Sequence, residues 1–203
     1  DNFGIIPHDK KIAEFLRNSY ENYKYPLGVK IYSAKKQNRL VREVGKILKP
    51  LMTYVISFQT TTREVQKETK RVSAKPDEAA VSLEFCRENG MATATELIFG
   101  LPGETIDSWR DVINETINYG FDSISMNPLW LLKGSDLNRE VVRKEQQYKG
   151  MYLIAENALT IHDDFISFEK DEIAISSKNY SFDDWKKFLV YQINILMFCY
   201  FDR

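Results

Sequence analysis

Apolar and polar positions alternate along this chain at two rhythms, and each stretch declares its own element. From Asp9 to Tyr23, Ile12, Phe15, Leu16, Ser19 and Tyr20 recur at three-and-four spacing, which predicts one face of a helix. Pro26-Leu27-Gly28 ends it, and "VKIYSA" (29–34) then alternates as a strand does. "NRLVREVGKIL" returns to helical period, with Leu40, Val41, Val44, Ile47 and Leu48 on one side and Pro50 closing it. "TYVISFQ" (53–59) is rich in β-formers, and "TREVQKETKR" reads as a polar helix. Pro76 to Asn89 predicts another helix, with Ala79, Ala80, Leu83 and Phe85 apolar and Asn89-Gly90 as its stop. "ATELIFG" is a strand. Thr105 then caps a helix running to Tyr119, with Gly120 just past its end, and "FDSISMNPLWLL" supplies a last strand and its loop.

The strand–loop–helix unit thus starts again at Val29, Thr53, Thr93 and Asp122. Such alternation argues for a parallel sheet with crossover helices, either doubly wound or a barrel. From about Asn138 the rhythm changes. Residues 139–160 read as helical, 165–178 as one or two strands, and Ser181-Phe182-Asp183-Asp184 as a capping box opening a final helix. The expected division is therefore an α/β unit over 1–138 and an extension over 139–203.

Charge and composition narrow the function classes. A net charge of −1 leaves no electrostatic footprint for nucleic acid or an anionic membrane. Two cysteines, Cys86 and Cys199, and two histidines, His8 and His162, offer neither metal-ligand spacing nor a disulfide framework, so a reducing cytoplasm is expected. No secretory signal is present. The most apolar run, 188–201, has 14 residues interrupted by Gln192 and Asn194. A bilayer span needs about 20, so the run reads as a buried or docking helix.

In parallel α/β folds, chemistry gathers at the carboxyl ends of the strands. Polar residues expected there are Asp1 and Asn2 beside Phe3, then Ser33 and Lys35, then Gln59, Thr60 and Thr61, then Glu96 with the Gly100–Gly103 turn, and finally Asn127. Singly, each has an ordinary reading as a strand cap or turn residue. Together at one end of one sheet they predict a pocket. Glu96 is the most telling, because a carboxylate inside an apolar strand needs a partner: unpaired burial costs several kcal/mol. Arg71 or Lys35 would serve as an ion-pair partner, and so would a vicinal diol such as a ribose, which offers two short hydrogen bonds. Gly100-Leu101-Pro102-Gly103 would let the backbone pass close to a flat ligand.

These residues also carry a family resemblance. "ELIFGLPGET" followed by "INYGFDSISMNPLWLLKGSDL" resembles the fifth and sixth strands of radical S-adenosylmethionine (radical SAM) enzymes. "VISFQTTTREVQKETKR" is similar to their fourth strand, "YSAKKQNRLVREVGKIL" to the third strand and helix, and "DNFG" to the end of the second. The tail "DEIAISSKNYSFDDWKKF" resembles the extension after the barrel in cobalamin-binding-type members. The resemblance implies a partial (β/α) TIM-like barrel, comprising the later strands of that core, with a mixed C-terminal extension. It also implies roles for residues. Gln59 would hydrogen-bond the ribose, Arg71 would pair with the methionine carboxylate, and Glu96 would hold the ribose hydroxyls. Ile98 and Gly100 would pack on adenine, the backbone from Asn127 to Leu129 would read its edge, and Ser33 or Lys35 would meet the methionine part.

One hallmark departs from the pattern. The C-x-x-x-C-x-x-C motif that holds the [4Fe–4S] cluster does not occur in these 203 residues, and Cys86 reads as a structural thiol. The expectation is a fragment of a radical SAM iron–sulfur oxidoreductase or methyltransferase, inactive alone. Its parent would bind the cluster and S-adenosylmethionine and generate a 5′-deoxyadenosyl radical on an unknown substrate, or use cobalamin in methyl transfer. An exposed barrel edge would favour self-association. The rival is a non-catalytic module for an adenosyl compound or a partner protein. An ordinary phosphate-binding enzyme would need G-x-x-x-x-G-K-[ST] or G-x-G-x-x-G, and neither occurs.

Overall fold

The structure is a computed structural model that describes residues 2–29, 32–33, 39–69, 76–161 and 165–201. Lys35 and Arg71 lie outside the described residues. The chain runs β1 (Asn2–Phe3), α1 (Pro7–Tyr23), β2 (Tyr32–Ser33), α2 (Arg39–Leu48), β3 (Tyr54–Val55), α3 (Arg63–Glu68) and α4 (Pro76–Glu88). It continues through β4 (Thr93–Phe99), α5 (Ile106–Tyr119), β5 (Ser123–Pro128), α6 (Glu140–Gln146), β6 (Lys149–Ile161), β7 (Ile166–Ser176) and α7 (Phe182–Phe201). β1 pairs in parallel with β2, and β3, β4 and β5 form a parallel sheet in that order. β6 and β7 form an antiparallel hairpin. The architecture is α/β, with helices crossing between parallel strands.

Local signals act where they were read. Thr105 Oγ1 accepts the Ser108 N–H at 3.1 Å to start α5, and Gly120, at φ 72°, ends it in the left-handed region. At α7, Ser181 Oγ accepts the Asp184 N–H at 3.2 Å while the Asp184 carboxylate accepts the Ser181 N–H at 3.1 Å, a reciprocal capping box. α2 buries Val41, Val44 and Leu48, as its spacing predicts.

Two expectations need correction. On α1 the buried apolar position is Ala13, with Leu16 and Tyr20 flanking it, whereas Ile12 and Phe15 are exposed. Ala13 joins Val44 and Leu48 of α2 in one cluster, and its small side chain suits close helix approach, so the helix turns that face inward. The second correction concerns 139–160. Helix α6 stops at Gln146, Gln147 turns left-handed at φ 54°, and 149–161 is strand β6. Its apolar residues fit either period locally. Pairing with β7, which sets Tyr152 opposite Glu172 and Ile154 opposite Lys170, selects the strand.

The core lies on one side of the parallel sheet. Tyr54, Ile56, Phe58, Leu97, Phe99, Ile124 and Met126 are buried with Leu83 of α4, Trp109 and Val112 of α5, and Trp185 and Phe188 of α7. The Phe99 and Phe188 rings stack with centroids 4.8 Å apart and planes 11° from parallel. The C-terminal elements are joined to the parallel unit by backbone bonds as well. Ala174 N–H donates to Leu129 C=O at 2.9 Å, and Leu131 N–H donates to Glu172 C=O at 2.7 Å. Among the described residues no helix is long and apolar enough to cross a membrane.

Phe188→Ala should destabilise the chain by about 3–5 kcal/mol, as truncation of a buried aromatic does. Urea unfolding measures it. A loss within about 0.5 kcal/mol, the scale of a surface change, would show that α7 does not hold the sheet.

Candidate functional site

Successive residues of a strand face opposite sides of the sheet. Along β4, Thr95, Leu97 and Phe99 are buried, while Ala94, Glu96 and Ile98 are half-buried on the other side. β5 repeats the division, with Ile124 and Met126 buried and Ser123, Ser125 and Asn127 half-buried. The register sets Glu96 beside Ser125 and Ile98 beside Asn127. Ser57 and Gln59 extend the same face from the β3 segment, since Ile56 and Phe58 point into the core.

Glu96 therefore stands in the middle of a polar sheet face. Among the described residues its carboxylate receives one hydrogen bond, from Ser57 Oγ at 3.4 Å, long for an O–H···O contact. A carboxylate offers about four lone-pair sites, so most of its accepting capacity stays open. Asn127 Nδ2 reaches Ser125 Oγ at 3.5 Å. Ile98 borders the face, packed against a second apolar cluster that includes Val65, Leu101 and Leu129.

Gln59 shows what a linear reading missed. The ladder at β3 is regular only over Tyr54–Val55, yet the chain rejoins β4 at Gln59. There its N–H donates to Glu96 C=O and its C=O accepts from Ile98 N–H, each at 2.8 Å. Gln59 does so at φ 63°, a left-handed conformation costing a non-glycine residue on the order of 1 kcal/mol. Backbone pairing on both sides of Glu96 holds it there.

Gly100 is buried at φ 98°, and a Cβ there would fall 2.7 Å from the Tyr180 hydroxyl. Tyr180 thus fills the space that a side chain at Gly100 would take. Leu129 is engaged too: its N–H donates to Phe99 C=O at 2.8 Å, and its C=O accepts from Ala174. Of the segment expected to read an adenine edge, Asn127 is the part on the polar face. Ser33 lies in the β1–β2 pair, opposite Phe3.

Glu104 went unassigned in the sequence because an acidic residue just before a helix usually faces solvent. Here its carboxyl is wholly buried. It accepts the Gly100 N–H at 3.0 Å and the Thr60 hydroxyl at 3.4 Å, tying the residue after Gln59 to the turn after β4. Burial pushes its pKa up to about 8, against the lowering effect of those bonds. Tyr148 adds a hydroxyl donated to Gly100 C=O at 3.1 Å, and burial pushes the phenols of Tyr148 and Tyr180 up as well.

Among the described residues no group of three or more His, Cys, Asp or Glu side chains could hold a metal ion. Cys86 is buried, which pushes its thiol up to about 11 and keeps it from acting as a thiolate ligand.

No family model matches the chain. By sequence, the chain is 32% identical over an alignment of 152 positions, which takes in 72% of it, to the cobalamin-dependent radical SAM methyltransferase TokK of Streptomyces tokunonensis. The match spans only 22% of that protein's length. By structure, the chain resembles HemN, the Escherichia coli coproporphyrinogen III oxidase and radical SAM enzyme, with a TM-score of 0.55 at 16% identity, over 93% of this chain and 38% of that one. It also resembles TsrM, a radical SAM methyltransferase of Kitasatospora setae with cobalamin and a [4Fe–4S] cluster bound, with a TM-score of 0.53 at 13% identity, over 76% and 28%. The fold is that of radical SAM enzymes. By sequence the chain is related to a cobalamin-dependent radical SAM methyltransferase, and it shares its fold with part of the radical SAM enzymes.

The Glu104 carboxyl gives a pH prediction. Its folded value of about 8 lies above the ordinary 4.5, so the folded chain holds the proton more tightly than the unfolded one. Its contribution is fully present below about pH 4.5 and is lost as pH rises through about 8. Glu104→Gln, which keeps an acceptor for the Gly100 N–H and replaces the oxygen facing Thr60 with an amide donor that the Thr60 hydroxyl can accept, should remove that decline from urea unfolding measured across the window. A variant with the same slope as the parent would refute the burial of this carboxyl.

Proposed function

We propose that this chain forms the adenosyl-binding wall of a cobalamin-type radical SAM methyltransferase, with Glu96 holding the ribose hydroxyls of S-adenosylmethionine. The observation that carries the reading is the half-buried Glu96 carboxylate, which among the described residues accepts one long hydrogen bond, flanked by Ser57, Ser125 and Asn127. A ribose diol presents two donors at the spacing of the two carboxylate oxygens, and hydrogen bonds to an ionised acceptor are the strong kind. Ile98 offers adenine an apolar contact, Asn127 a polar edge, and Gln59 a further polar group at the strand end. Gly100 serves by shaping the turn below them. Arg71 suits the methionine carboxylate as a bidentate partner, and Ser33 or Lys35 the rest of that moiety.

In this reading, the parallel strands and their helices over 1–138 are the later part of a (β/α) barrel, and 139–203 is an extension packed on it. S-adenosylmethionine, when bound, supplies an activated methyl group or an adenosyl radical. The matched relative is named a methyltransferase, which favours methyl transfer over the broader oxidoreductase expectation. Among the described residues the Glu96 face offers no cysteine or histidine to ligate the cluster or cobalamin, so both are assigned to the whole protein and no step at this face runs through them. Reducing chemistry of this kind suits the cytoplasm. An adenosyl-binding module without a cluster is the second reading, and a full gene product without C-x-x-x-C-x-x-C would select it.

The test is anaerobic reconstitution of the full gene product with iron, sulfide, cobalamin and S-adenosylmethionine. Formation of S-adenosylhomocysteine or 5′-deoxyadenosine is expected, and S-adenosylmethionine binding without turnover would select the second reading. Glu96→Ala should weaken S-adenosylmethionine binding about 10- to 100-fold, the loss of hydrogen bonds to a charged group. Unchanged affinity in that variant would overturn both.

A further inference from the structure

The polar sheet face ends at Gln59, whose place is set partly from outside the ladder. Its N–H donates to Glu96 C=O and its C=O accepts from Ile98 N–H, beyond the regular part of β3 and at φ 63°. A non-glycine residue keeps that sparsely populated conformation where its surroundings over-determine it. The next residue, Thr60, is 2% exposed and carries such a restraint.

Thr60 is fixed at three points. Its C=O accepts from Gln66 Nε2 at 2.9 Å, its Oγ1 accepts the Thr62 N–H at 3.2 Å, and its hydroxyl donates to the Glu104 carboxyl at 3.4 Å. The first two bonds stay within the loop and helix α3 that follow. The third crosses to a residue 44 positions further along. Glu104 is wholly buried, and its other oxygen accepts the Gly100 N–H at 3.0 Å. Its own N–H donates to Leu101 C=O at 3.0 Å, which fixes the side chain's base in the turn after β4.

These contacts close a ring. Gln59 pairs with Ile98, Ile98 continues along β4 to Gly100, Gly100 bonds Glu104, and Glu104 bonds Thr60 beside Gln59. Burying a carboxyl is costly unless its oxygens are hydrogen-bonded, and here each oxygen is engaged by a different chain segment. The group is a clamp across the end of the sheet. Tyr148 braces the same point by donating its hydroxyl to Gly100 C=O at 3.1 Å.

We propose that Glu104 is a positioning residue for S-adenosylmethionine: by clamping Thr60 to Gly100 it holds Gln59 against β4 at the end of the Glu96 face. The role rests on the adenosyl reading of that face. Glu104 is enclosed and touches no ligand, so it acts through Gln59. With the clamp removed, the Gln59 segment gains freedom that binding must take away again, and that ordering weakens affinity.

Equilibrium binding of S-adenosylmethionine to the reconstituted full gene product tests it, in a double-mutant cycle between Glu104→Ala and Gln59→Ala. Glu104→Ala should weaken binding about ten-fold. In the Gln59→Ala background the same change should weaken it less than about two-fold, because residues that act through one another are not additive. Glu104→Gln should keep affinity within about two-fold of the parent. Thr60→Val removes the hydroxyl on the other side of the clamp and should repeat the loss; it takes the place of Glu104→Ala in the cycle if that chain does not fold. Additive losses, a Glu104→Gln variant as weak as Glu104→Ala, or full affinity in Thr60→Val would overturn the clamp while Glu96→Ala still weakens binding. Full affinity in Glu96→Ala would instead remove the adenosyl reading, and this role with it.

Discussion

Because β4 sends Thr95, Leu97 and Phe99 to one side and Glu96 and Ile98 to the other, its register between β3 and β5 governs the rest of the molecule. A slip of one residue would exchange the two faces, carrying Glu96 into the aromatic core and Phe99 out of it. Burying that carboxylate unpaired would cost several kcal/mol. The register is also pinned at its base. The Asp122 carboxylate accepts both the N–H and the hydroxyl of Thr93 at 2.8 Å, which locks the start of β4 to the chain entering β5. The apolar face then recruits α4, α5 and α7, and the polar face keeps Glu96 half-buried beside Ser125 and Asn127.

The carboxyl end of the sheet depends on a second set of contacts, made largely by residues far along the chain. Glu104 ties Thr60 to Gly100 from beneath, Tyr148 bonds the Gly100 carbonyl, and Tyr180 fills the space where a side chain would stand. Tyr148 precedes β6 and Tyr180 precedes α7, so the C-terminal region shapes the turn beside the Glu96 face. Gln59 gains its left-handed conformation from the same neighbourhood. The strain is stored where the face ends, as expected of positions that the surrounding backbone over-determines.

Similarity to radical SAM enzymes gives this geometry a functional frame. The relative matched by sequence is a methyltransferase, and the structural neighbours share the fold at identities that speak to fold alone. The chain contributes a polar sheet face and a C-terminal hairpin. The buried Cys86 plays no part in either.

Much of this architecture could be read from the sequence because its causes are local. Thr105 and Gly120 bound α5 through their own hydrogen bonding and backbone freedom, the spacing of Val41, Val44 and Leu48 orients α2, and the charge inside "ATELIFG" marks a residue with a special face. What the sequence did not disclose depends on partners distant along the chain. Residues 149–161 form a strand because β7 pairs with them, and Ala13 rather than Phe15 turns inward because α2 is its neighbour. Glu104 is buried because the turn and Thr60 close over it, and Gly100 must be glycine because Tyr180 arrives from eighty residues on. Composition and period determined by themselves most of the elements up to Asn138 and where they end. Only tertiary packing decided which faces meet and which polar groups are enclosed, since burial and pairing are properties of neighbours brought together by the fold.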